Sequence, residues 1–123
     1  MEQPTIEIDE FGGTSLQAYL LALTLDGVQD RLGPPHKTDI QGKVSKWWGY
    51  RCGPWRWSVY ERIGHDELHI GGTSADAAWF ALTVLRVPQS IAWRPSGVPS
   101  EWWSALVNAE VPRKAHNASL SGP

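Results

Sequence analysis

Apolar and polar side chains alternate along residues 44–62, which is the pattern of β-strands with one buried face. Aromatic and β-branched residues dominate this stretch, and Cys52-Gly53-Pro54 interrupts it with residues typical of a tight turn. We predict strands at about 44–51 and 55–62, and a third at about 67–71 after a turn at 63–66. The three strands form an antiparallel meander.

The same alternation assigns side chains to the two faces of the meander. Trp55, Trp57 and Val59 share one side of the second strand, and Trp48 and Tyr50 share one side of the first. This apolar face has to be covered, and we expect helices to cover it. The opposite face is basic and partly aromatic, with Trp47, Arg51, Arg56, Tyr60 and Arg62.

Two patterns precede these strands near the start of the chain. Residues 5–9 alternate as in a short edge strand. Thr14-Ser15-Leu16-Gln17 has the form of a capping box, with a hydroxyl at the N-cap and an amide three residues later. Because Leu16, Tyr19, Leu20 and Leu23 follow at helical spacing, we predict a first helix here.

A second helix has clear start and stop signals. Thr24 is its N-cap, its apolar edge includes Val28 and Leu32, and Gly33 ends it before two prolines. Residues 36–42 are polar and are predicted to form a loop that leads into the meander.

Two more helices are predicted after the meander. Residues 75–86 carry a helical apolar stripe, although Thr83, Val84 and Val87 leave a strand as an alternative. Residues 88–99 form a proline-rich loop with an extended piece at 91–93, and a final helix occupies residues 101–109. The predicted fold class is α+β, a three- to four-stranded antiparallel meander with helices packed on one face. Residues 1–111 form this single domain, and residues 112–123 form a flexible C-terminal tail.

Composition adds a charge asymmetry to this picture. The chain has 123 residues and a formal net charge of −2, which argues against a general nucleic-acid binder. Residues 1–30 contain six acidic residues and no Lys or Arg, whereas residues 43–62 contain five basic residues and one acidic residue. These two regions either neutralise each other in the fold, or one of them presents a charged face to a partner.

The absence of certain sequence features argues against several classes of protein. One cysteine excludes an internal disulfide and a site with several thiolate ligands. No apolar run approaches the ~18 residues that span a bilayer, and the acidic N-terminus is unlike a secretory signal. We therefore expect a cytoplasmic protein that does not bind membranes.

A metal site is the first candidate chemistry. His65 and His69, with acidic residues between them, have the spacing of a zinc-binding helix, but the alternation of Leu68 and Ile70 favours a strand. Residues four apart in a strand are separated by roughly 13 Å, which is too far for a shared ion. We therefore expect two solvated histidines, no metal and no cofactor.

Catalysis is the second candidate. Cys52 could act as a nucleophile with His36, His65 or His69, but no sequence signature of a catalytic cysteine flanks it. A triad of His65 and Asp66 with Ser58 or Ser74 rests on sequence adjacency alone, which is not triad geometry. We therefore expect no enzymatic activity.

The 8 tryptophans leave three interpretations open. The first is a core under the helices, formed by Trp48, Trp55, Trp57, Trp79 and one of Trp102 and Trp103. The second is a protein-recognition surface, since Tyr, Trp and Arg dominate interface hot spots. The third is stacking on sugars or single-stranded nucleic acid, and the net acidity weighs against nucleic acid.

The order of elements over residues 24–86 carries a resemblance. Leu32-Gly33-Pro34-Pro35 ends a helix, Trp47-Trp48-Gly49-Tyr50 lies in a strand, and Gly72-Thr73-Ser74 opens a helix. This order resembles small bacterial α+β immunity proteins of polymorphic-toxin systems. The first two motifs also resemble a small helix-plus-meander family of outer-membrane assembly lipoproteins.

The immunity resemblance implies a non-enzymatic intracellular inhibitor that masks a bacterial toxin by binding it. An acidic partner would contact the outer sheet face through Trp47, Arg51, Arg56, Tyr60 and Arg62. A basic partner, such as a nuclease, would contact Glu7, Asp9, Glu10, Asp26 and Asp30. The alternative function is a small-ligand or carbohydrate-binding module that uses Trp47, Tyr60 and Trp93, and the oligomeric state stays open.

Overall fold

The computed structural model of the chain describes residues 4–10, 14–87 and 94–114. Within these ranges the protein has six β-strands and three α-helices. The strands are β1 (Glu7–Ile8), β2 (Ser15–Leu20), β3 (Lys37–Ile40), β4 (Val44–Cys52), β5 (Trp55–Arg62) and β6 (Leu68–Gly72). The helices are α1 (Leu25–Leu32), α2 (Ala75–Val84) and α3 (Glu101–Val107).

All six strands belong to one antiparallel sheet with the order β1-β4-β5-β6-β2, and β3 pairs with β4 beside β1. The α+β class and the antiparallel β4–β5–β6 meander are therefore confirmed, as is a short edge strand near residue 8. The predicted count of three to four strands is wrong, because β2 and β3 extend the sheet. The extended piece predicted at 91–93 lies outside the described residues.

Strand β2 corrects the predicted first helix. Its register places Leu16 opposite Gly71, Tyr19 opposite His69 and Leu20 opposite Leu68. Pairing with β6 satisfies backbone groups that would otherwise form a sheet edge, and this long-range gain outweighs a short stretch of helical spacing. Leu20 alone of this stripe is fully buried.

Strand β3 corrects the predicted polar loop before the meander. Asp39 (φ 52°), Gln41 (φ 53°) and Gly42 (φ 69°) adopt left-handed conformations, which turn the chain back so that Ile40 pairs with Val44. Asn, Asp and Gly adopt these left-handed angles most readily. The apolar alternation expected of a strand is absent from this segment. An exposed edge strand needs no apolar face, so the polar pattern hid it.

The predicted apolar face of the meander is buried. Trp48, Tyr50, Trp57 and Val59 are at most 2% exposed, and Cys52 is 1% exposed. Phe80 of α2 stacks on Trp57 with ring centroids 5.5 Å apart and an interplanar angle of 18°. Trp79 is buried, and Trp55, Trp102 and Trp103 are half-buried against the same core. The core interpretation of these tryptophans is confirmed, with both Trp102 and Trp103 contributing.

Helix α1 begins and ends where its sequence signals place it. The Thr24 hydroxyl accepts a hydrogen bond from the Gly27 N–H, and Gly33 follows the last turn with φ 85°. The Trp48 indole N–H donates to the Gly33 carbonyl at 3.0 Å, which joins the end of α1 to strand β4. Arg31, at the end of the helix, donates to the Val84 carbonyl at 2.7 Å, so α1 is also tied to the end of α2.

The start of the predicted tail makes hydrogen bonds with the rest of the protein. Arg113 donates to the Asp30 carbonyl at 2.9 Å, and Lys114 donates to the His36 carbonyl at 2.6 Å. Residues 115–123 lie outside the described part of the chain. A flexible tail therefore stays a prediction for those residues.

Candidate functional site

The sheet face opposite α2, called the outer face here, carries a row of aromatic side chains. The strand registers place Trp47 opposite Tyr60, Tyr60 opposite His69, and His69 opposite Tyr19. The His69 ring centroid lies 5.2 Å from that of Tyr60 and 5.1 Å from that of Tyr19, both in edge-on contact. The Lys37 Nζ lies 5.1 Å from the centroid of the Trp47 ring. The rings of Trp47, Tyr60, His69 and Tyr19 define the aromatic row.

Trp47 lies on the predicted face but is only 8% exposed. Its ring lies across Gly49, and the Asp9 backbone covers the same glycine, so that an added Cβ there would lie 2.0 Å from the ring and 2.3 Å from the Asp9 carbonyl oxygen. The neighbouring Ser58 is also buried, and its hydroxyl hydrogen-bonds to that of Thr14 at 3.0 Å. An aromatic platform for sugars needs an exposed ring, which Trp47 does not supply.

Five of the eight nominated charged residues form ion pairs, four of them with each other. Arg51 Nη2 lies 3.0 Å from Glu7 Oε2, and Arg56 Nε lies 2.8 Å from the buried Asp9 Oδ2. Glu10 pairs with Lys114 at 2.9 Å, and this partner lowers the pKa of Glu10. The pairs of Arg51 and Arg56 join the acidic N-terminal region to the basic region 43–62, so the two regions partly neutralise each other, the first of the two alternatives for the charge asymmetry. Arg62, Asp26 and Asp30 are exposed.

Among the described residues, four large apolar side chains are exposed: Leu16 (44%), Tyr19 (51%), Leu21 (77%) and Ile63 (52%). Leu16, Tyr19 and Leu21 lie in β2 or directly after it, and together they are called the edge patch. Leu16 and Tyr19 belong to β2, and no strand among the described residues pairs with the free side of β2. Sequence reasoning missed this patch because it placed Leu16 and Tyr19 on the buried stripe of a helix.

A depression of about 400 Å³ lies beside the end of β2. It is lined by Leu20, at the end of β2, and by three leucines that follow the strand, Leu21, Leu23 and Leu25. Leu68 and three acidic residues, Glu61, Asp66 and Glu67, also line it. A depression lined by both leucines and carboxylates suits a side chain that combines an aliphatic stem with a cationic end.

His65, Glu67 and His69 form a cluster, called the histidine cluster here, in which one ligand atom from each lies within 4.8 Å of the others. The ring centroids of His65 and His69 are 5.2 Å apart, so the expected separation of about 13 Å for a strand is wrong. The physical reason is that β6 begins only at Leu68, and Gly64, with φ 85°, turns the chain before it. His69 is 3% exposed, and its burial, helped by His65, lowers the pKa of its imidazole.

The candidate nucleophiles are buried. Cys52 is 1% exposed, and burial raises the pKa of its thiol to about 11, so the thiol is protonated at neutral pH. The Ser58 hydroxyl is held by Thr14. Neither side chain is placed to attack a substrate from solvent.

Comparison with protein-family models, curated proteins and solved structures gave no match. In the ranges the structure covers, every helix is too short or too polar to cross a membrane.

His36 should make the protein sensitive to mild acid. Its Nδ1 accepts a hydrogen bond from the buried Gly49 N–H at 3.0 Å, and burial lowers the pKa of the ring to about 4. In the unfolded chain the pKa of this ring returns to about 6.5. Between the folded and unfolded pKa values the unfolded chain binds more protons than the folded protein, so the stability of the fold decreases as the pH drops. We expect His36 to account for a loss of about 2 kcal/mol between pH 7 and pH 5.

Urea unfolding of wild type and His36→Gln at both pH values measures this effect. The glutamine carbonyl oxygen can accept the Gly49 N–H bond but does not titrate, so the variant should lose less stability in acid than wild type. His65→Gln, at an exposed position away from this hydrogen bond, serves as the control and should keep the loss that His36 causes. Equal acid sensitivity of wild type and His36→Gln would contradict the assignment.

Proposed function

We propose that the protein is a non-enzymatic binding module that engages another protein along strand β2. The observation that carries this proposal is the edge patch on a strand whose second side has no partner among the described residues. A monomeric protein usually protects such an edge with charges, proline or a covering element, because free backbone groups pair readily with another chain. Here the strand presents Leu16 and Tyr19 instead.

The occupant we propose is an extended segment of the partner that adds to β2 as a further strand. Backbone hydrogen bonds would supply affinity, and side chains at alternate positions would supply specificity. The depression beside Leu21, which Glu61, Asp66 and Glu67 also line, would accept a Lys or Arg of that segment. The proposed partner is therefore basic, and its contact differs from the acidic set expected near the N-terminus.

Inhibition of a bacterial toxin is the specific activity that we propose for this module, acting inside the cell by steric and electrostatic masking. The resemblance of residues 24–86 to immunity proteins supports this activity, and a basic toxin such as a nuclease would match the acidic residues that line the depression. No specific observation favours the carbohydrate alternative, because Trp47 is covered and Trp93 lies outside the described residues.

The test requires a candidate toxin domain, which we expect to be encoded beside the gene of this protein. We expect the double variant Leu16→Lys and Leu21→Lys to bind about 30-fold more weakly by calorimetry, the loss of ~2 kcal/mol that two hot-spot contacts supply. Both residues are exposed, so the fold should be unaffected. Growth in the presence of the toxin reports whether masking is lost along with binding.

The matched control is Asp26→Asn with Asp30→Asn, which changes the same number of exposed residues on α1. This variant should bind like wild type, and amide hydrogen exchange should slow along β2 on complex formation while the amides of α2 stay unchanged. Full binding by the lysine variant, or protection confined to α1, would refute the proposed contact.

A further inference from the structure

We propose that His65, Glu67 and His69 bind a divalent transition-metal ion of the zinc class. One ligand atom from each residue lies within 4.8 Å of the other two. His65 Nδ1 lies 3.9 Å from Glu67 Oε1, and His69 Nε2 lies 3.8 Å from the same oxygen. This inference does not depend on the partner contact proposed above.

The donor set selects the class of ion. Two imidazole nitrogens with one carboxylate oxygen form a ligand set typical of Zn²⁺ sites that keep a fourth position for water or an external donor. Mg²⁺ and Ca²⁺ prefer shells of oxygen atoms, so they should compete poorly here. Imidazole also binds Ni²⁺ and Cu²⁺. This donor set therefore discriminates less among Zn²⁺, Ni²⁺ and Cu²⁺ than between these three ions and Mg²⁺.

The state of His69 is an independent indication of a ligand. Its side chain is 4% exposed, and in the described part of the chain its Nε2 is buried without a hydrogen-bond partner. A buried polar nitrogen left unpaired costs free energy, and coordination to a cation would remove that cost. The Nε2 is the atom that points toward Glu67 within the cluster.

The surroundings hold the cluster in place. Tyr19 and Tyr60 contact the His69 ring edge-on, at 5.1 Å and 5.2 Å between centroids, which fixes its orientation. Gly64, with φ 85°, turns the chain so that His65 returns over β6. A side chain other than glycine would be strained at that angle, so the turn is a defined part of the arrangement.

Coordination requires the three ligand atoms to move closer together. Ligand atoms 2.0–2.1 Å from a tetrahedral ion lie about 3.3–3.4 Å apart, compared with 3.8 Å and 3.9 Å for the two pairs that include Glu67 and at most 4.8 Å for any pair of the cluster. The side chains of His65 and Glu67 are 44% and 34% exposed and can move toward the fixed His69. The bound ion would join the turn that follows β5 to the start of β6.

Calorimetric titration of the full chain with Zn²⁺ tests the site. We expect one ion per chain, with affinity reduced at least ~10-fold in both His65→Ala and Glu67→Gln. These residues are partly exposed, so their variants should remain folded, which circular dichroism can verify. Asp66→Asn, an exposed neighbour outside the cluster, is the control and should bind Zn²⁺ like wild type.

X-ray absorption of the zinc-loaded protein gives a second readout that does not require a variant. Two imidazoles in the first shell, at about 2.0–2.1 Å from zinc, would support the site, as would retention of zinc in the presence of excess Mg²⁺. A shell of oxygen atoms alone, or unchanged affinity in His65→Ala and Glu67→Gln, would overturn the proposal. His65→Ala changes neither β2 nor a residue that lines the depression, so toxin binding can be measured separately in that variant.

Discussion

Replacing Gly49 by alanine is expected to destabilise the protein by about 3 kcal/mol or more. The added methyl group would lie 2.0 Å from the Trp47 ring and 2.3 Å from the Asp9 carbonyl oxygen. Real Cβ contacts are essentially never this short, so both neighbours would have to move. The Asp9 oxygen belongs to the backbone, which cannot rotate away as a flexible side chain can.

The clash would disturb the contacts of β4 with the N-terminal segment and with His36 and, through Asp9, the contact of that segment with β5. The Asp9 N–H donates to the Gly49 carbonyl at 2.9 Å, and the Gly49 N–H donates to His36 at 3.0 Å. Displacing Asp9 would also disturb its ion pair with Arg56. Gly49 is therefore needed because the ring and the N-terminal segment both lie directly on the backbone of β4.

Urea unfolding followed by tryptophan fluorescence measures the effect of Gly49→Ala. The control is Gly97→Ala, since an added Cβ at Gly97 meets no atom within 4 Å. The control should stay within about 0.5 kcal/mol of wild type. Similar stabilities for the two variants would show that the N-terminal segment does not lie on the outer face of β4.

Trp57→Ala is expected to cost about 3–5 kcal/mol, a large part of the stability of a small domain. Trp57 is 2% exposed at the centre of the sheet. It stacks between Phe80 of α2, at 5.5 Å, and Tyr50 of β4, at 5.9 Å between centroids. Removing the indole would leave a cavity between the sheet and the helix that the surrounding side chains cannot fill.

A graded series at this position tests whether the cost in stability follows the amount of side-chain volume removed. Trp57→Phe keeps an aromatic ring against Phe80 and should cost clearly less than Trp57→Ala in the same unfolding experiment. Leu21→Ala, at a position 77% exposed, is the control and should change stability by less than about 0.5 kcal/mol. Equal costs for Trp57→Ala and Leu21→Ala would contradict the placement of Trp57 in the core.

Much of the core could be predicted because its signals are local. The alternation along residues 44–62 placed Trp48 and Trp57 correctly inside, and the caps at Thr24 and Gly33 gave the bounds of α1. Each of these features depends on residues a few positions apart, whose relative directions are fixed by backbone geometry. The aromatic content then made the buried face easy to recognise.

The candidate sites were harder to predict because they combine distant segments. The edge patch exists only because residues 15–20 pair with β6 rather than fold as a helix. The histidine cluster depends on the turn at Gly64 and on where β6 begins, a boundary that sequence patterns locate poorly. Trp47 was assigned to the right face, but the covering of that face by the Asp9 segment was not foreseen.

The amino-acid sequence by itself determined the meander, its inner and outer sides and helix α1, since near-neighbour spacing decides these. The tertiary structure decided that β2 and β3 are strands, that Glu7 and Asp9 pair with Arg51 and Arg56, and that His65 meets His69. These outcomes arise from backbone pairing and charge pairing between segments remote in sequence. Their free energy depends on what each segment finds opposite it, which no local pattern records.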